Sequence, residues 1–343
     1  MKKFRTIREI IKYSEKKIKP NALKWLDGSA EYGYTTKNNR EIFRKIKLIP
    51  QVLKDTKSLD LSKEFFGKKC SMPIVISPMG GTDQFHKKSE HIFFEASKKN
   101  EIPYFFPNNA GITLNELNPT KKKSLLSRSL YLDDDLDYCK KELDDLEKNN
   151  CHCVSITVDS PVRPISYNKM DQNYDERKNY AKSPLNYLRK KKGDPLTWKN
   201  ISKIRKMTSK PIILKGILSK VDALKAYEHG INGIWVSNHG GRVFESDLTS
   251  LEVLSEIRAS LPKEIVVVCD GGVRTGSDIL KTLSLGADFV GVGRPFIFGL
   301  IANAFNGVNN VIDLLKSEFL TAMRLSGSKS FDDVKELEKI LKF

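Results

Sequence analysis

The sequence predicts an α/β protein built as a (β/α)8 TIM barrel, a closed barrel of eight parallel strands with helices between them. Two observations lead to this prediction. From about residue 70 onward, short apolar runs alternate with amphipathic stretches of helical periodicity, and eight such apolar runs occur. Each helical crossover must also return the chain to the same end of the sheet, as parallel strands require. A doubly wound open sheet is the competing fold.

The predicted barrel strands are the eight apolar runs. Two of the intervening helices end at glycines, Gly230 and Gly286, which is typical of a helix C-cap. In chain order the predicted strands are Ile74–Ser77, Ile102–Phe106, Leu125–Tyr131, Val154–Val158, Ile212–Lys215, Gly233–Ser237, Ile265–Cys269 and Phe289–Val292.

Two segments lie outside this alternation. Residues 1–70 contain a Lys-rich helical pattern from about Thr6 to Ile18, a second helical segment and an extended stretch near Lys47–Leu53. They predict an N-terminal helical cap on the barrel, so that residues 1–343 form one domain. The polar, basic segment 166–197 follows the fourth strand and is too long for an ordinary connection. It predicts a long lid loop over the site, with a disordered insertion as the alternative.

Composition excludes several classes of protein. Hydrophobic residues make up 39% of the chain, and the mean hydropathy is −0.40, as in a globular protein with a full core. No apolar run approaches the roughly 18 to 20 residues that span a bilayer, and the N-terminus lacks the apolar stretch of a secretory signal. We therefore expect a cytoplasmic protein without a membrane partner.

Charge and cysteine usage indicate which binding partners, disulfides and metal sites are to be expected. The net charge is +17, but the lysines are spread along the whole chain and no nucleic-acid-binding motif accompanies them. We expect no nucleic-acid partner, although the charge can attract anionic substrates or cofactors. The five cysteines are scattered and suggest no disulfide framework. Cys151-His152-Cys153 has no second ligand pair, so no metal site is expected.

Glycines and arginines at the last two strand ends predict a phosphate site. Gly271-Gly272 precedes a helix, and Gly293 precedes Arg294 at the next strand end. Glycines let backbone N–H groups approach an anion, and Arg274 or Arg294 can add paired donors. Barrel enzymes frequently bind phosphate after their seventh and eighth strands. A tight turn is the structural alternative for a glycine pair.

His239 is the candidate catalytic base. It lies between Asn238 and a glycine pair at the end of the sixth predicted strand, and Arg242 follows three residues later. Histidine can accept a proton, and arginine offers a fixed cation to a carboxylate. Asp159, which ends another strand, can stabilise the imidazolium that forms. A partnered core aspartate is the alternative for Asp159.

These segments together resemble the FMN-dependent 2-hydroxy-acid oxidase/dehydrogenase family, of the glycolate oxidase, lactate oxidase and lactate monooxygenase type. Weaker matches extend to the N-terminal third, so the similarity covers nearly the whole chain. The segments that carry it are Ile213-Leu214-Lys215-Gly216-Ile217-Leu218, Val236-Ser237-Asn238-His239-Gly240-Gly241-Arg242, Asp270-Gly271-Gly272-Val273-Arg274-Thr275-Gly276, Leu285-Gly286-Ala287 and Gly291-Val292-Gly293-Arg294-Pro295-Phe296.

The resemblance implies FMN at the C-terminal mouth of the barrel. It implies that His239 is the catalytic base with Asp159 as its charge partner, and that Arg242 and Tyr131 bind the substrate. Lys215 would stabilise negative charge at one end of the flavin ring. The residues implied for cofactor binding are Pro78, Met79, Gly80, Asn108, Ser129, Thr157, Lys215, Ser237, Asp270, Gly271, Gly272, Val273, Arg274, Gly293 and Arg294.

Four departures from the family pattern concern the substrate and oxygen side of the site. Leu23 stands where a carboxylate-binding Tyr is usual, and Trp25 is nearby. Ser166 stands where a second carboxylate-binding Arg is usual, and Arg163 can take the place of that Arg. Pro107 replaces a Ser beside Asn108, and Gly80 replaces a common Ala. A substrate larger than lactate is therefore an alternative.

The resulting hypothesis is an FMN-dependent oxidoreductase. It would oxidise a 2-hydroxy acid, or a related hydroxyl-bearing substrate, to the 2-oxo product, and pass electrons to O2 or another acceptor. A homo-oligomer, such as a tetramer, is expected from the relatives. Two alternatives remain: an isomerase related to type-2 isopentenyl diphosphate isomerase, and an FMN-binding protein with a decayed substrate site.

Overall fold

The structure is a computed structural model that describes residues 3–117, 124–167, 170 and 194–341. We number its strands in chain order. They are β1 Ile46–Leu48, β2 Lys63–Phe65, β3 Lys68–Cys70, β4 Ile74–Ile76, β5 Tyr104–Phe106, β6 Leu126–Leu130, β7 Val154–Thr157, β8 Ile212–Ile217, β9 Gly233–Val236, β10 Val266–Cys269, β11 Phe289–Val292 and β12 Lys339–Leu341.

Strands β4 to β11 form a closed parallel barrel. Each strand pairs with the next along the chain, and β11 returns to β4 with Val290 opposite Ile74. This last pairing separates a barrel from an open sheet, so the predicted fold is confirmed and the doubly wound alternative is wrong. The predicted strand bounds agree within two residues. The longest observed strand, β8, runs two residues past Lys215 and contains an irregularity between Lys215 and Ile217.

The described α-helices comprise three in the N-terminal segment, those that cross between barrel strands, and two that follow the last barrel strand. The two predicted C-cap glycines, Gly230 and Gly286, have positive φ angles of 75° and 109° directly after their helices. The N-terminal helices are α1 Ile7–Glu15, α2 Pro20–Leu26 and α3 Tyr34–Lys45. The others are Ser89–Asn100, Leu114–Leu117, Leu136–Lys148, Trp198–Arg205, Lys220–Glu228, Ser250–Ser260, Gly276–Ser284, Arg294–Ser326 and Phe331–Glu336.

The N-terminal segment packs on the barrel and on the C-terminal segment. In α1, the Ser14 hydroxyl donates to the Phe298 carbonyl over 2.7 Å. Strand β1 pairs antiparallel with β12, which joins the two ends of the chain. Helix α3 lies against the loops that follow β9 and β10, where it contacts Gly241 and Gly272. The cap therefore reaches the end of the barrel where the candidate site residues lie.

Aromatic side chains close the opposite end of the barrel. Phe65, from the β2–β3 hairpin, packs edge-on against Phe289 with ring centroids 4.8 Å apart. Phe105 packs similarly against Trp235 at 4.9 Å, and all four side chains are fully buried. This apolar layer packs the lumen beneath the mouth at the C-terminal ends of the strands, where the candidate site residues lie.

Most of the predicted lid, residues 168–169 and 171–193, lies outside the described residues. Across the described ranges, no helix is both long and apolar enough to pass through a membrane.

Candidate active site

A cavity of about 540 Å³ opens at the C-terminal mouth of the barrel, within the size range of small-molecule sites. Nearly all the candidate site residues line it, which brings together side chains separated by more than 200 positions in the sequence. The candidates that line it are Pro78, Met79, Gly80, Asn108, Ser129, Tyr131, Thr157, Lys215, His239, Arg242, Asp270, Gly271, Gly272, Val273, Arg274, Gly293 and Arg294. Asp159 and Ser237 lie behind this wall.

His239 and Asp159 form a close pair. The Asp159 oxygens lie 3.0 and 3.2 Å from His239 Nδ1. Burial raises the pKa of the Asp159 carboxyl, but the charge and hydrogen bond of His239, with the Lys215 cation, outweigh it and lower the pKa below its ordinary value. The carboxylate therefore accepts the Nδ1 proton. This leaves Nε2 on the cavity side as a proton acceptor.

Tyr131 extends the pair into the cavity. Its hydroxyl oxygen lies 3.2 Å from His239 Nε2. Burial, and after it the nearby Asp159 carboxylate, raise the pKa of the Tyr131 phenol, so its hydroxyl stays protonated. Asn108 Oδ1 accepts the Tyr131 backbone N–H over 3.3 Å and fixes this end of β6. A protonated phenol and an imidazole nitrogen thus meet at one point of the cavity wall.

A glycine makes the His239–Asp159 approach possible. Gly216 sits at the β8 irregularity with φ of 107°, a conformation that other residues rarely adopt. A Cβ atom built at this position would lie 2.4 Å from Asp159 Cβ. Asp159 therefore occupies space that any side chain at position 216 would take.

Ser237 supports two neighbours instead of lining the cavity. Its Oγ accepts from Lys215 Nζ and from the His239 backbone N–H, each over 3.0 Å. Lys215 Nζ also lies 3.9 Å from Asp270 Oδ2, and Lys215 as a whole residue is only 4% exposed. The sequence predicted that Ser237 itself reaches the cofactor, whereas the structure directs its hydroxyl toward Lys215 and His239.

Arg242 is fixed at the cavity wall by main-chain carbonyls. Its Nη1 donates to Gly28 over 2.8 Å and to Leu26 over 3.2 Å, and its Nη2 donates to Trp25 over 2.8 Å. The guanidinium also stacks over the Trp25 ring at 4.9 Å. These contacts place a cation near His239 with little freedom to move.

At the positions that depart from the family pattern, nearby residues line the cavity in place of the aligned ones. Trp25 lines the cavity, whereas Leu23 does not. Arg163 also lines the cavity, while Ser166 is buried and pairs through its backbone with Glu31. Trp25 and Arg163, not the aligned Leu23 and Ser166, thus contribute to the cavity wall.

Cations converge at the far end of the cavity. Burial, followed by the neighbouring Arg294 and Arg40 cations, lowers the pKa of Arg274 to about 9. Burial and the charge of Arg242 lower the pKa of Arg294 to about 10. Like charges held together in this way are unfavourable without an anion. A phosphate placed between them would remove the cost.

Three buried polar atoms point to a polar ligand in the same cavity. Ser77 Oγ, Asn109 Oδ1 and Asp270 Oδ1 have no hydrogen-bond partner among the described residues. All three residues line the cavity. Buried polar groups are nearly always hydrogen-bonded in folded proteins. A ligand with several polar groups and a terminal phosphate, as FMN has, fits these atoms and the arginine cluster.

Ser77 and Asn109 also line the cavity, although the sequence assigned no individual role to either of them. They stand at strand ends, but only their shared lack of partners marks them, and that property depends on the folded structure. Asn109 also explains one departure from the family pattern. A Cβ atom at Gly80 would lie 2.6 Å from Asn109 Cβ, so an alanine there requires Asn109 to move.

The glycine pairs have a second reason besides ligand approach. A Cβ atom at Gly241 would lie 2.4 Å from Thr36 Oγ1, and one at Gly272 would lie 1.7 Å from the Asn39 carbonyl oxygen. Both glycines therefore allow helix α3 to pack directly on the loops of the site. The sequence interpretation, which considered only the ligand or a turn, did not foresee this contact.

The chain is similar to known proteins of one enzyme family. The family model described as FMN-dependent dehydrogenase matches residues 14–339. The chain is 33% identical over 331 residues to 2-hydroxyacid oxidase 2 of Mus musculus, and the match covers 94% of both chains. It is 30% identical to an L-lactate dehydrogenase of Acinetobacter baylyi, again over 94% of both. A structure of mandelate oxidase with benzoyl-formic acid superposes with a TM-score of 0.92 at 27% identity, covering 98% of this chain and 99% of that one.

Proposed function

The chain belongs to the FMN-dependent dehydrogenase family, and from this premise we propose how its residues bind FMN and act on the substrate. The protein is an FMN-dependent oxidoreductase of the kind that oxidises 2-hydroxy acids, with a small-molecule substrate and an electron acceptor. The observation that carries the residue assignments is the His239–Asp159 pair, which faces a cavity containing partnerless polar atoms and clustered arginines.

FMN binding is assigned to the cavity wall at the C-terminal ends of β4 to β8, β10 and β11. Arg274 and Arg294, with the backbone of Gly271-Gly272 and Gly293, would hold the phosphate. Ser77 and Asp270 offer partnerless oxygens to the polar chain of the cofactor. The remaining assigned contacts to the ring come from Pro78, Met79, Gly80, Asn108, Ser129, Thr157 and Lys215. When bound, FMN supplies the two-electron acceptor for the oxidation.

Proton transfer is assigned to His239. Its Nδ1 is engaged by Asp159, so Nε2 takes the proton that the substrate releases, and the Asp159 carboxylate stabilises the resulting imidazolium. Ser237 holds the His239 backbone and Lys215 in their positions. Lys215 would place a positive charge beside the cofactor as it gains electrons.

Substrate binding is assigned to Arg242, Arg163 and Tyr131. The two cations would bind the carboxylate, and the protonated Tyr131 hydroxyl would donate to a substrate oxygen. Trp25 lies under the Arg242 guanidinium in the wall that faces the substrate. Apolar residues, among them Leu132, Val158 and Val243, also line the cavity and can accommodate a side chain larger than methyl.

The two alternatives gain nothing from these findings. The relatives described above are oxidases and a dehydrogenase, which gives no support to an isomerase. The close His239–Asp159–Tyr131 arrangement supports an intact catalytic group over a decayed site. Whether O2 or another acceptor reoxidises the flavin, the homo-oligomeric state and the cytoplasmic location stay predictions.

The proposed function is tested by anaerobic titration of the purified holoprotein. The flavin absorbance would be followed while 2-hydroxy acids of increasing size are added, from glycolate and lactate to mandelate. We expect at least one of them to bleach the flavin, and larger ones to do so faster than glycolate. If none bleaches a flavin that dithionite still reduces, the assignment to this substrate class is wrong.

A further inference from the structure

Helix α3 (Tyr34–Lys45) contacts the loop that carries His239 through several polar groups. The Glu245 carboxylate accepts from the backbone N–H of Tyr32 over 2.9 Å and from that of Tyr34, at the start of the helix. Two residues further, Thr36 Oγ1 lies 3.2 and 3.1 Å from the carbonyl oxygens of Gly240 and Gly241. The His239 loop is therefore attached to a helix outside the barrel.

The centre of this contact is a reciprocal pair of buried amides. Asn39 Nδ2 donates to Asn238 Oδ1 over 3.0 Å, and Asn238 Nδ2 donates back to Asn39 Oδ1 over 2.8 Å. Asn238 Nδ2 also donates to the Leu248 carbonyl over 3.0 Å. Asn39 is 1% exposed and Asn238 is 6% exposed, so neither amide can exchange its partner for water. Asn238 directly precedes His239.

Asn39 also contacts the loop that is assigned to phosphate binding. A Cβ atom at Gly271 would lie 3.2 Å from Asn39 Oδ1, and Gly272 packs directly on the Asn39 carbonyl. The next residue of the helix, Arg40, donates to the Gly272 carbonyl and lies 3.4 Å from Asp278 Oδ2. That carboxylate oxygen accepts the Arg274 backbone N–H over 2.8 Å. One turn of α3 thus touches both functional loops.

We propose that Asn39 is a positioning residue that, through its pair with Asn238, holds the His239 loop and the phosphate loop in one fixed arrangement. The proposal rests on the proposed function, because it uses the roles given there to the two loops. It has a specific consequence. A change at Asn39 affects FMN affinity and flavin reduction together, although Asn39 is not among the residues that line the cavity.

The amide pair is tested by a double-variant cycle of Asn39→Ala, Asn238→Ala and both together. Removing one amide leaves the other buried without its partner, so each single change should weaken FMN binding and slow flavin reduction by about tenfold. The double variant should be no worse than Asn238→Ala alone, because both lose the contact to the Leu248 carbonyl and the double variant leaves no orphaned amide side chain. Asn38→Ala is the matched control, since Asn38 lies on the same helix and its side-chain amide donates to the Asp247 carbonyl in an exposed contact.

Two readouts separate positioning from a merely structural contribution. FMN affinity is measured by titration of the apoprotein. The reduction rate is measured at saturating FMN and substrate, so that a lower rate reports the placement of His239 and not lost cofactor. Single variants that leave both quantities unchanged, or effects that simply add in the double variant, overturn the proposal.

Asn39→Asp serves if the alanine variants do not fold. It keeps the side-chain shape and one half of the pair, but it places a negative charge beside Gly271. FMN affinity should fall by about tenfold, while riboflavin, which lacks the phosphate, should lose less. Equal losses for both flavins, or none, overturn the role at the phosphate loop. If no 2-hydroxy acid reduces the unaltered holoprotein, the proposed function fails, yet the FMN-affinity cycle still decides the proposal.

Discussion

At the scale of single residues, the site depends on one glycine as much as on its titratable groups. The His239–Asp159 distance of 3.0 Å exists because Gly216 has no side chain and adopts a φ of 107°. The position looks unremarkable in the sequence, where it follows a lysine in an apolar strand. Its importance comes from a contact with Asp159, which lies in the loop after the neighbouring strand β7.

We predict that Gly216→Ala slows flavin reduction by about tenfold or more, which is the order of effect expected when a catalytic group is misplaced. The added Cβ would displace Asp159, which lies 2.4 Å away, while the arginines assigned to FMN are untouched. Stopped-flow reduction by the best 2-hydroxy acid measures the rate.

Gly67→Ala is the control for this change. Gly67 also has a positive φ, 77°, but no heavy atom lies within 4 Å of the added Cβ. It therefore introduces similar backbone strain without a clash. If both variants reduce FMN equally fast, the role of Gly216 in placing Asp159 is contradicted.

Local signals made His239 and Arg242 predictable, because both stand beside glycines at the end of a strand. From the sequence, Asn109 and Ser77 are only polar residues at strand ends, because their lack of partners among the described residues is a property of the folded cavity. The orientation of Ser237 was also beyond the sequence. A residue at a strand end can face the lumen wall or the mouth, and here its hydroxyl is taken by Lys215 and the His239 backbone.

At the scale of elements, the ends of β10 and β11 bring Arg274 and Arg294 to one end of the cavity. The lowered pKa values of about 9 and about 10 have burial as their first cause and a neighbouring arginine as their second, which is Arg294 for Arg274 and Arg242 for Arg294. A phosphate dianion would offset this repulsion. The two strands are therefore expected to determine cofactor affinity, while the loop after β9 determines reactivity.

We predict that Arg274→Ala weakens FMN binding by about tenfold to a hundredfold, the range for losing hydrogen bonds to a charged group. Riboflavin binding should change much less, because the lost contacts are to the phosphate. Titration of the apoprotein with each flavin gives both values. Arg324→Ala, an exposed arginine on the C-terminal helix, changes the net charge equally and should leave both affinities unaltered. A parallel loss for riboflavin would count against the phosphate assignment.

The same arginine predicts a pH dependence. Because the pKa of Arg274 is lowered to about 9, its cationic form is complete below about pH 8 and is lost as the pH rises through about 9. FMN affinity of the apoprotein should therefore fall between about pH 8 and about pH 10, and riboflavin affinity should fall less. Titrations across this range test the prediction. An affinity ratio of FMN to riboflavin that stays constant with pH would contradict it.

Strands were predicted correctly because their sequence pattern is local, whereas contacts between distant segments were not predicted. Strands such as Phe289–Val292 were predicted to the residue, since an uninterrupted apolar run is the signal for a buried strand. The contact of α3 with Gly241 and Gly272 involves positions about 200 residues apart. No periodicity in one sequence reports such a contact.

At the scale of the whole molecule, the N-terminal cap contacts both the C-terminal segment and the mouth of the barrel. Strand β1 pairs with β12, and the Phe4 backbone N–H donates to Asn310 Oδ1 over 3.1 Å. Helix α3 packs on the site itself. We therefore propose that residues 1–343 form a single domain in which the cap is required for a complete FMN site.

This proposal predicts one cooperative unfolding transition. Loss of helical signal by circular dichroism and release of flavin fluorescence should share a midpoint in denaturant, because the cap and the FMN site lose their structure together. Flavin release at a clearly lower denaturant concentration than the main loss of helix would show that the cap separates first.

The most direct measurement of the central claim compares anaerobic flavin bleaching in the unaltered protein and in His239→Ala. With the best 2-hydroxy acid, the unaltered holoprotein should bleach, and the variant should bleach at least about a hundredfold more slowly with the same FMN content. His91→Ala, which removes a histidine outside the cavity, should behave like the unaltered protein. A His239→Ala protein that bleaches at the unaltered rate would contradict the assignment of His239 as the base that faces the flavin.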